Sequence, residues 1–88
     1  MRTIINIGYG NMVNADKVIS IIKPDAAPVK RLIQQAKDSG NALDATCGRK
    51  TKSVIVIENG LVVLSALLPE TIALRINNND GMKGEYYE

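Results

Sequence analysis

Apolar residues recur along this chain with two different spacings, and the spacing separates the elements. Thr3-Ile4-Ile5-Asn6-Ile7 predicts a first strand, halted by Gly8-Tyr9-Gly10-Asn11, where two glycines and an asparagine suit a turn with positive φ. The β-branched run from Asp16 or Lys17 to Lys23 predicts a second strand that ends at Pro24, because the residue before a proline is pushed out of the α region. Val29, Leu32, Ile33 and Ala36 then fall at i, i+3, i+4 and i+7, one apolar stripe of a helix. Asp25 is the expected N-cap, Pro28 suits an early helical position, and Gly40-Asn41 supplies a left-handed stop. Lys30, Arg31, Gln34 and Lys37 lie on the opposite face.

Beyond the helix, Leu43 to Thr46, Ser53 to Ile57 and Leu61 to Ala66 predict three more strands. Glu58-Asn59-Gly60 joins the last two, and Asn-Gly between apolar runs is a strong hairpin signal. Pro69 to Ile76 predicts a short second helix, stopped by the run from Asn77 to Gly81. The expectation is a single α+β domain over residues 1–77: a small mixed or antiparallel sheet of about five strands, one main helix and a short C-terminal helix. Residues 78–88, mostly polar, are expected to form a disordered tail. Val54 to Ile57 and Leu61 to Leu64 are apolar at every position, and successive strand side chains point to opposite faces. Both faces of this hairpin therefore require cover. The first helix can cover one; the second helix is short, so a partner subunit is the expected supplement and the protein is expected to be a homo-oligomer.

Composition narrows the chemistry. The 88 residues include no His, Trp or Phe and a single Cys. Without His there is no His-based general base, His-bearing zinc site or Ser-His-Asp triad within one chain. A lone Cys47 forms no intrachain disulfide and fits a reducing compartment. No apolar run approaches the ~20 residues of a membrane span or the length of a signal peptide core, so a cytoplasmic location off the membrane is expected. The net charge of +2 hides an asymmetry. Met1 to Lys52 carries nine Lys and Arg against four Asp and Glu; Ser53 to Glu88 carries two against five.

Each candidate site has a plainer account beside it. Gly8-Tyr9-Gly10 after a strand resembles part of a dinucleotide-binding fingerprint, but Val13 stands where the third glycine belongs and no crossover helix follows; a glycine-rich turn explains it better. Cys47 lies near Arg49, Lys50 and Lys52, which can lower a thiol pKa, yet no His is available as its base and no second Cys to resolve it. Asp16, Asp25, Asp44, Glu58 and Glu70 show no paired spacing. The sharpest feature is Gly48 to Lys52, three cations in five residues with no acid, placed on a connection between strands. Phosphates require fixed positive charge, close backbone approach and a donor such as Thr51, and an arginine such as Arg49 can also enter a groove. A solvated, lysine-rich turn is the bland alternative.

Four segments carry a resemblance to one family: INIGYGNMV (Ile5 to Val13), KPDAAPVKRLIQQAK (Lys23 to Lys37), DATCGRKTKSVIVI (Asp44 to Ile57) and LLPETIALR (Leu67 to Arg75). Together they resemble the RemA family of bacterial extracellular-matrix regulators, from Thr3 to about Arg75. The resemblance implies a DNA-binding transcriptional regulator of biofilm matrix genes whose subunits close into rings that present DNA-contacting loops outward. Carried over by position, the family's basic loop falls on Arg49 and Lys50, a further basic position on Lys17, and a structurally sensitive proline on Pro28. Thr51 and Lys52 complete the expected DNA-binding set, and Gly8, Gly10 and Gly48 join Pro28 as expected structural positions. Two departures stand out: Cys47 where the family often has His, and Lys50 where Arg is common. Lysine lacks the planar fork, so Lys50 suits a phosphate better than a base edge. Double-stranded DNA and further copies of the chain are thus the expected partners; no enzyme activity, metal, cofactor or small-molecule substrate is expected. The alternative is a non-catalytic adaptor that binds proteins through its apolar strands.

Overall fold

A computed structural model describes residues 4–78; the expected tail from residue 79 onward lies outside them. Six strands form two sheets. Strands β1 (Ile4–Gly8) and β2 (Asn11–Asn14) make a small antiparallel hairpin. A 3₁₀ turn, Ala15–Lys17, leads to β3 (Val18–Ile22). Helix α1 (Ala27–Asp38), β4 (Ala42–Asp44), β5 (Ser53–Ile57), β6 (Val62–Ser65) and α2 (Pro69–Asn77) follow. The larger sheet has the order β3-β5-β6-β4, antiparallel except for the parallel pair β4–β6. The α+β class holds, with the strands divided between two sheets.

The central strands β5 and β6 are apolar on both faces because both faces are covered within the chain. On one side α1 lays Val29, Leu32, Ile33 and Ala36 over Val54, Val62 and Leu64. On the other side Ile5 and Ile7 of β1, Ala45 and Ile72 of α2 close over Ile55 and Val63. Both faces of the β5–β6 hairpin are thus covered within the chain, where a partner subunit was the expected supplement. The short α2 does not act alone; the β1–β2 hairpin supplies the missing cover. Polar contacts fasten that hairpin to its neighbours. The Ser65 hydroxyl donates to the Ile7 carbonyl at 2.8 Å, and the Arg75 guanidinium donates to the Asn6 carbonyl at 2.8 Å.

Local chemistry sets the element ends. Helix α1 begins one residue later than expected. Ala26 is its N-cap, with no side-chain cap, and Pro28 sits in the first turn, where its missing N–H leaves one fewer orphan donor. Asp25 is exposed and does not cap the helix. At the other end the Asn41 N–H donates to Ala36 O and the Gly40 N–H to Lys37 O, with Gly40 at φ +77°, a Schellman stop. The Asn59-Gly60 turn closes β5 onto β6 as the sequence predicts, with Gly60 at φ +91°. No described helix is long and apolar enough to cross a membrane.

Candidate nucleic-acid interface

The basic segment is not a hairpin tip. Because β4 runs parallel to β6 while β5 is its antiparallel neighbour on the other side, the chain between β4 and β5 must cross over the end of β6. Both roots of this crossover are tied to that end. The Ala45 N–H donates to Leu64 O and the Lys52 N–H to Ser65 O, each at 2.8 Å. Inside the loop, Thr46 is buried at 2% exposure, and its N–H and hydroxyl both donate to Asp44 Oδ1, at 2.9 and 2.6 Å. These two hydrogen bonds, the hydroxyl's first, hold the Asp44 carboxyl below its ordinary pKa; Lys37 adds a smaller pull and burial a smaller opposing push. The Arg49 N–H then donates to Thr46 O at 3.0 Å. Exposed cations therefore stand on a backbone with few free torsions.

Two residues other than glycine have left-handed backbone among the described residues, Tyr9 at φ +54° and Cys47 at φ +56°. Such conformations gather at functional sites, because only a structure that over-determines them keeps them. Here they lie in adjoining loops. Tyr9 stands between Gly8 at +110° and Gly10 at +81°, and Cys47 precedes Gly48 at +82°. The Asn11 side-chain amide bridges the loops, donating to Gly8 O at 2.9 Å and to Ala45 O at 3.4 Å. Across the same junction the Arg49 guanidinium carbon lies 5.5 Å from the centre of the Tyr9 ring, a cation–π distance. A Cβ at Gly8 would come within 3.3 Å of Leu67, so space as well as φ requires glycine there.

The expected site residues divide into three places. Arg49 leans on Tyr9. Lys50, Thr51 and Lys52 line a cavity shared with Lys23, Asp25 and Pro69. Lys17 is apart from both. It pairs with Glu58 at 3.3 Å, and Glu58 follows the end of β5 opposite to the basic loop, about 20 Å from Lys52 at ~3.3 Å per strand residue. Within a single chain Lys17 therefore stands well away from the basic loop. Tyr9 and Asn11 are the contributors that spacing does not reveal, since their partners lie across the fold; the one available signal is the Gly-Tyr-Gly-Asn run itself. Lys30, Arg31 and Lys37 are exposed along α1.

What the arrangement offers chemically is fixed, exposed positive charge with one arginine held against an aromatic ring. The chain belongs to the RemA-like family, described as extracellular matrix regulatory protein A-like, whose profile matches residues 4–76. A protein of Lachnoclostridium phytofermentans bearing the name "Putative regulatory protein" is 63% identical over 83 residues, which is 94% of this chain and 91% of that one. Relatives carrying the same designation occur in Halalkalibacterium halodurans, 49% identical over 82 residues (93% and 94% of the two chains), and in Bacillus cytotoxicus, 52% identical over 81 residues (92% and 93%). These names agree with a bacterial regulatory protein.

Proposed function

We propose that the protein is a cytoplasmic DNA-binding transcriptional regulator of the kind that controls biofilm matrix genes, binding duplex DNA through the Arg49 to Lys52 loop repeated around a ring of subunits. The observation that carries this reading is the loop itself: tied at both roots, strained at Cys47, and carrying three exposed cations, Arg49, Lys50 and Lys52. Lysine and arginine held in this way neutralise phosphates and release counterions, the main source of duplex affinity. Arg49 is the group suited to a groove, and Lys50 and Lys52 to the backbone. Lys17, at the far end of β5, meets the duplex only where DNA runs along the sheet or where another copy brings its loop alongside.

Assembly rests on surface that the fold leaves uncovered. Ile19 is 63% exposed on β3, an edge strand, beside a groove of about 400 Å3 between β3 and α2 lined by Val18, Ile21, Ala73 and Ile76. An edge strand next to an apolar groove is a natural seat for a second copy, and a head-to-tail contact that closes makes a ring. Repetition then multiplies weak single-loop contacts by avidity. The same apolar surface is what favours the second reading, a protein-binding adaptor. Native mass measurement with and without a long duplex separates the two. The regulator gives a closed oligomer larger than a dimer that gains the mass of DNA; a monomer indifferent to DNA overturns it.

A further inference from the structure

We propose that the cavity between the β3–α1 connection, the basic loop and the start of α2 seats a single phosphate group, with Lys23 as a contact that the basic loop alone does not provide. In the DNA-bound protein that group is a backbone phosphodiester, so this assignment rests on the DNA-binding reading for its source, though not for its chemistry.

The cavity holds about 270 Å3. That is below the ~300–1,000 Å3 of sites that enclose a drug-sized ligand, and ample for one phosphate with some of its water, each water taking ~30 Å3. Its walls bring together cations that are distant in sequence. The antiparallel register Ile22↔Val54 sets Lys23 across from the start of β5, next to Lys52. Lys50 and Thr51 complete that side, and Pro69, the first residue of α2, closes the other. Three ammonium groups face one carboxylate, Asp25, and none of the three lysines lies within ion-pair distance of a described carboxylate. Thr51 adds a hydroxyl donor.

The donor set selects the anion. A planar carboxylate is matched by the arginine fork, which this cavity lacks. Separate ammonium point charges around a three-dimensional space match the tetrahedral spread of phosphate oxygens. The first turn of α2 borders the cavity without a side-chain cap, and Glu70 in that turn offsets part of the helix's positive end. Pro24 and Pro69 have no N–H and fixed φ, so the walls hold their shape. Asp25 opposes the anion. Exposed and without a capping role, it moderates the site's charge.

Asp25 makes the test decisive, because the account gives two substitutions on one wall opposite signs. Lys23→Gln weakens duplex binding and removes roughly 0.9 from the slope of log affinity against log salt per engaged copy. Asp25→Asn tightens duplex binding several-fold, a gain that a damaged fold does not produce. Both side chains are exposed, so melting temperatures stay near wild type. The measurement is fluorescence anisotropy on a labelled duplex across a salt series, with a parallel titration of inorganic phosphate followed by backbone amide NMR shifts around Lys52. Opposite effects of the two variants on the duplex, with no saturable phosphate shift, establish the phosphodiester seat. Saturable shifts that Lys23→Gln abolishes, with duplex binding unaltered by either variant, support the seat and move its source to a free phosphate. Unaltered duplex binding in both variants together with no phosphate shift overturns the proposal. Failure of the wild type to bind any duplex overturns the DNA reading instead, and leaves the phosphate titration to judge the cavity alone.

Discussion

Tyr9→Ala isolates the platform beneath Arg49. Tyr9 is 51% exposed, and its ring lies 5.5 Å, centre to guanidinium carbon, from Arg49. Removing it leaves the left-handed turn in place, since alanine tolerates φ +54° no worse than tyrosine. Stability should therefore fall by no more than about 1 kcal/mol, the value of an exposed cation–π contact. Binding should change more. An untethered arginine must be ordered when it meets DNA, so each engaged copy loses the ~0.5–1 kcal/mol that the platform contributed beforehand. That is roughly a two- to five-fold loss per copy, and the losses multiply across a ring. Tyr9→Phe keeps the ring and should bind as wild type does. The assay is duplex affinity by anisotropy, run as a double-mutant cycle with Arg49→Ala. In that background Tyr9→Ala should do nothing further, because the group it positions is gone. Full wild-type affinity for Tyr9→Ala, or an equal loss in both Arg49 backgrounds, refutes the positioning role.

Other outcomes follow from the same geometry. Pro28→Ser should lower stability by on the order of 1 kcal/mol, because the unfolded chain regains freedom and the first turn of α1, which has no side-chain cap, regains an orphan donor; a wild-type melting temperature contradicts this. Asp44→Ala should destabilise the basic loop at neutral pH. The Asp44 pKa is depressed in the folded state, so its contribution is present above the unfolded value of ~3.9 and is lost as pH falls through the folded value. The gap between the melting temperatures of wild type and Asp44→Ala should therefore close on acidification. Lys17→Ala breaks only an exposed pair with Glu58, worth about 0–1 kcal/mol, so thermal melting should barely move while duplex binding weakens less than for Arg49→Ala.

The legible parts of the fold were those written in local spacing. The α1 stripe, the Asn59-Gly60 hairpin and the Pro69 start of α2 are short-range patterns, and each lies where its pattern puts it. Strand β2 was missed because Met12 and Val13 are only two apolar residues between asparagines, too few for an alternation to show. The parallel pairing of β4 with β6 was also invisible. No local pattern distinguishes a crossover from a hairpin, and that pairing turned the basic loop into a bridge over β6. Reading β1 as part of a single sheet hid the cover that its Ile5 and Ile7 give to Ile55 and Val63, which is why the apolar strands pointed to a partner subunit. For the site, charge clustering found Arg49, Lys50 and Lys52, and the likeness to relatives added Lys17. Tyr9 beneath Arg49 and Lys23 beside Lys52 are products of tertiary register, which sequence spacing does not carry.

The central claim, that duplex DNA is held by the repeated basic loop, is tested most directly by the salt dependence of duplex binding for wild type and Arg49→Ala. Both proteins should melt at similar temperatures, because Arg49→Ala removes no more than the exposed cation–π contact with Tyr9, worth about 0.5–1 kcal/mol. Wild type should show a steep linear fall of log affinity with log salt. Arg49→Ala should lose most of its affinity and flatten the slope by roughly 0.9 for each copy engaged. Wild-type affinity and slope in Arg49→Ala would contradict the account and send the DNA elsewhere, with the exposed face of α1 bearing Lys30, Arg31 and Lys37 as the next surface to test.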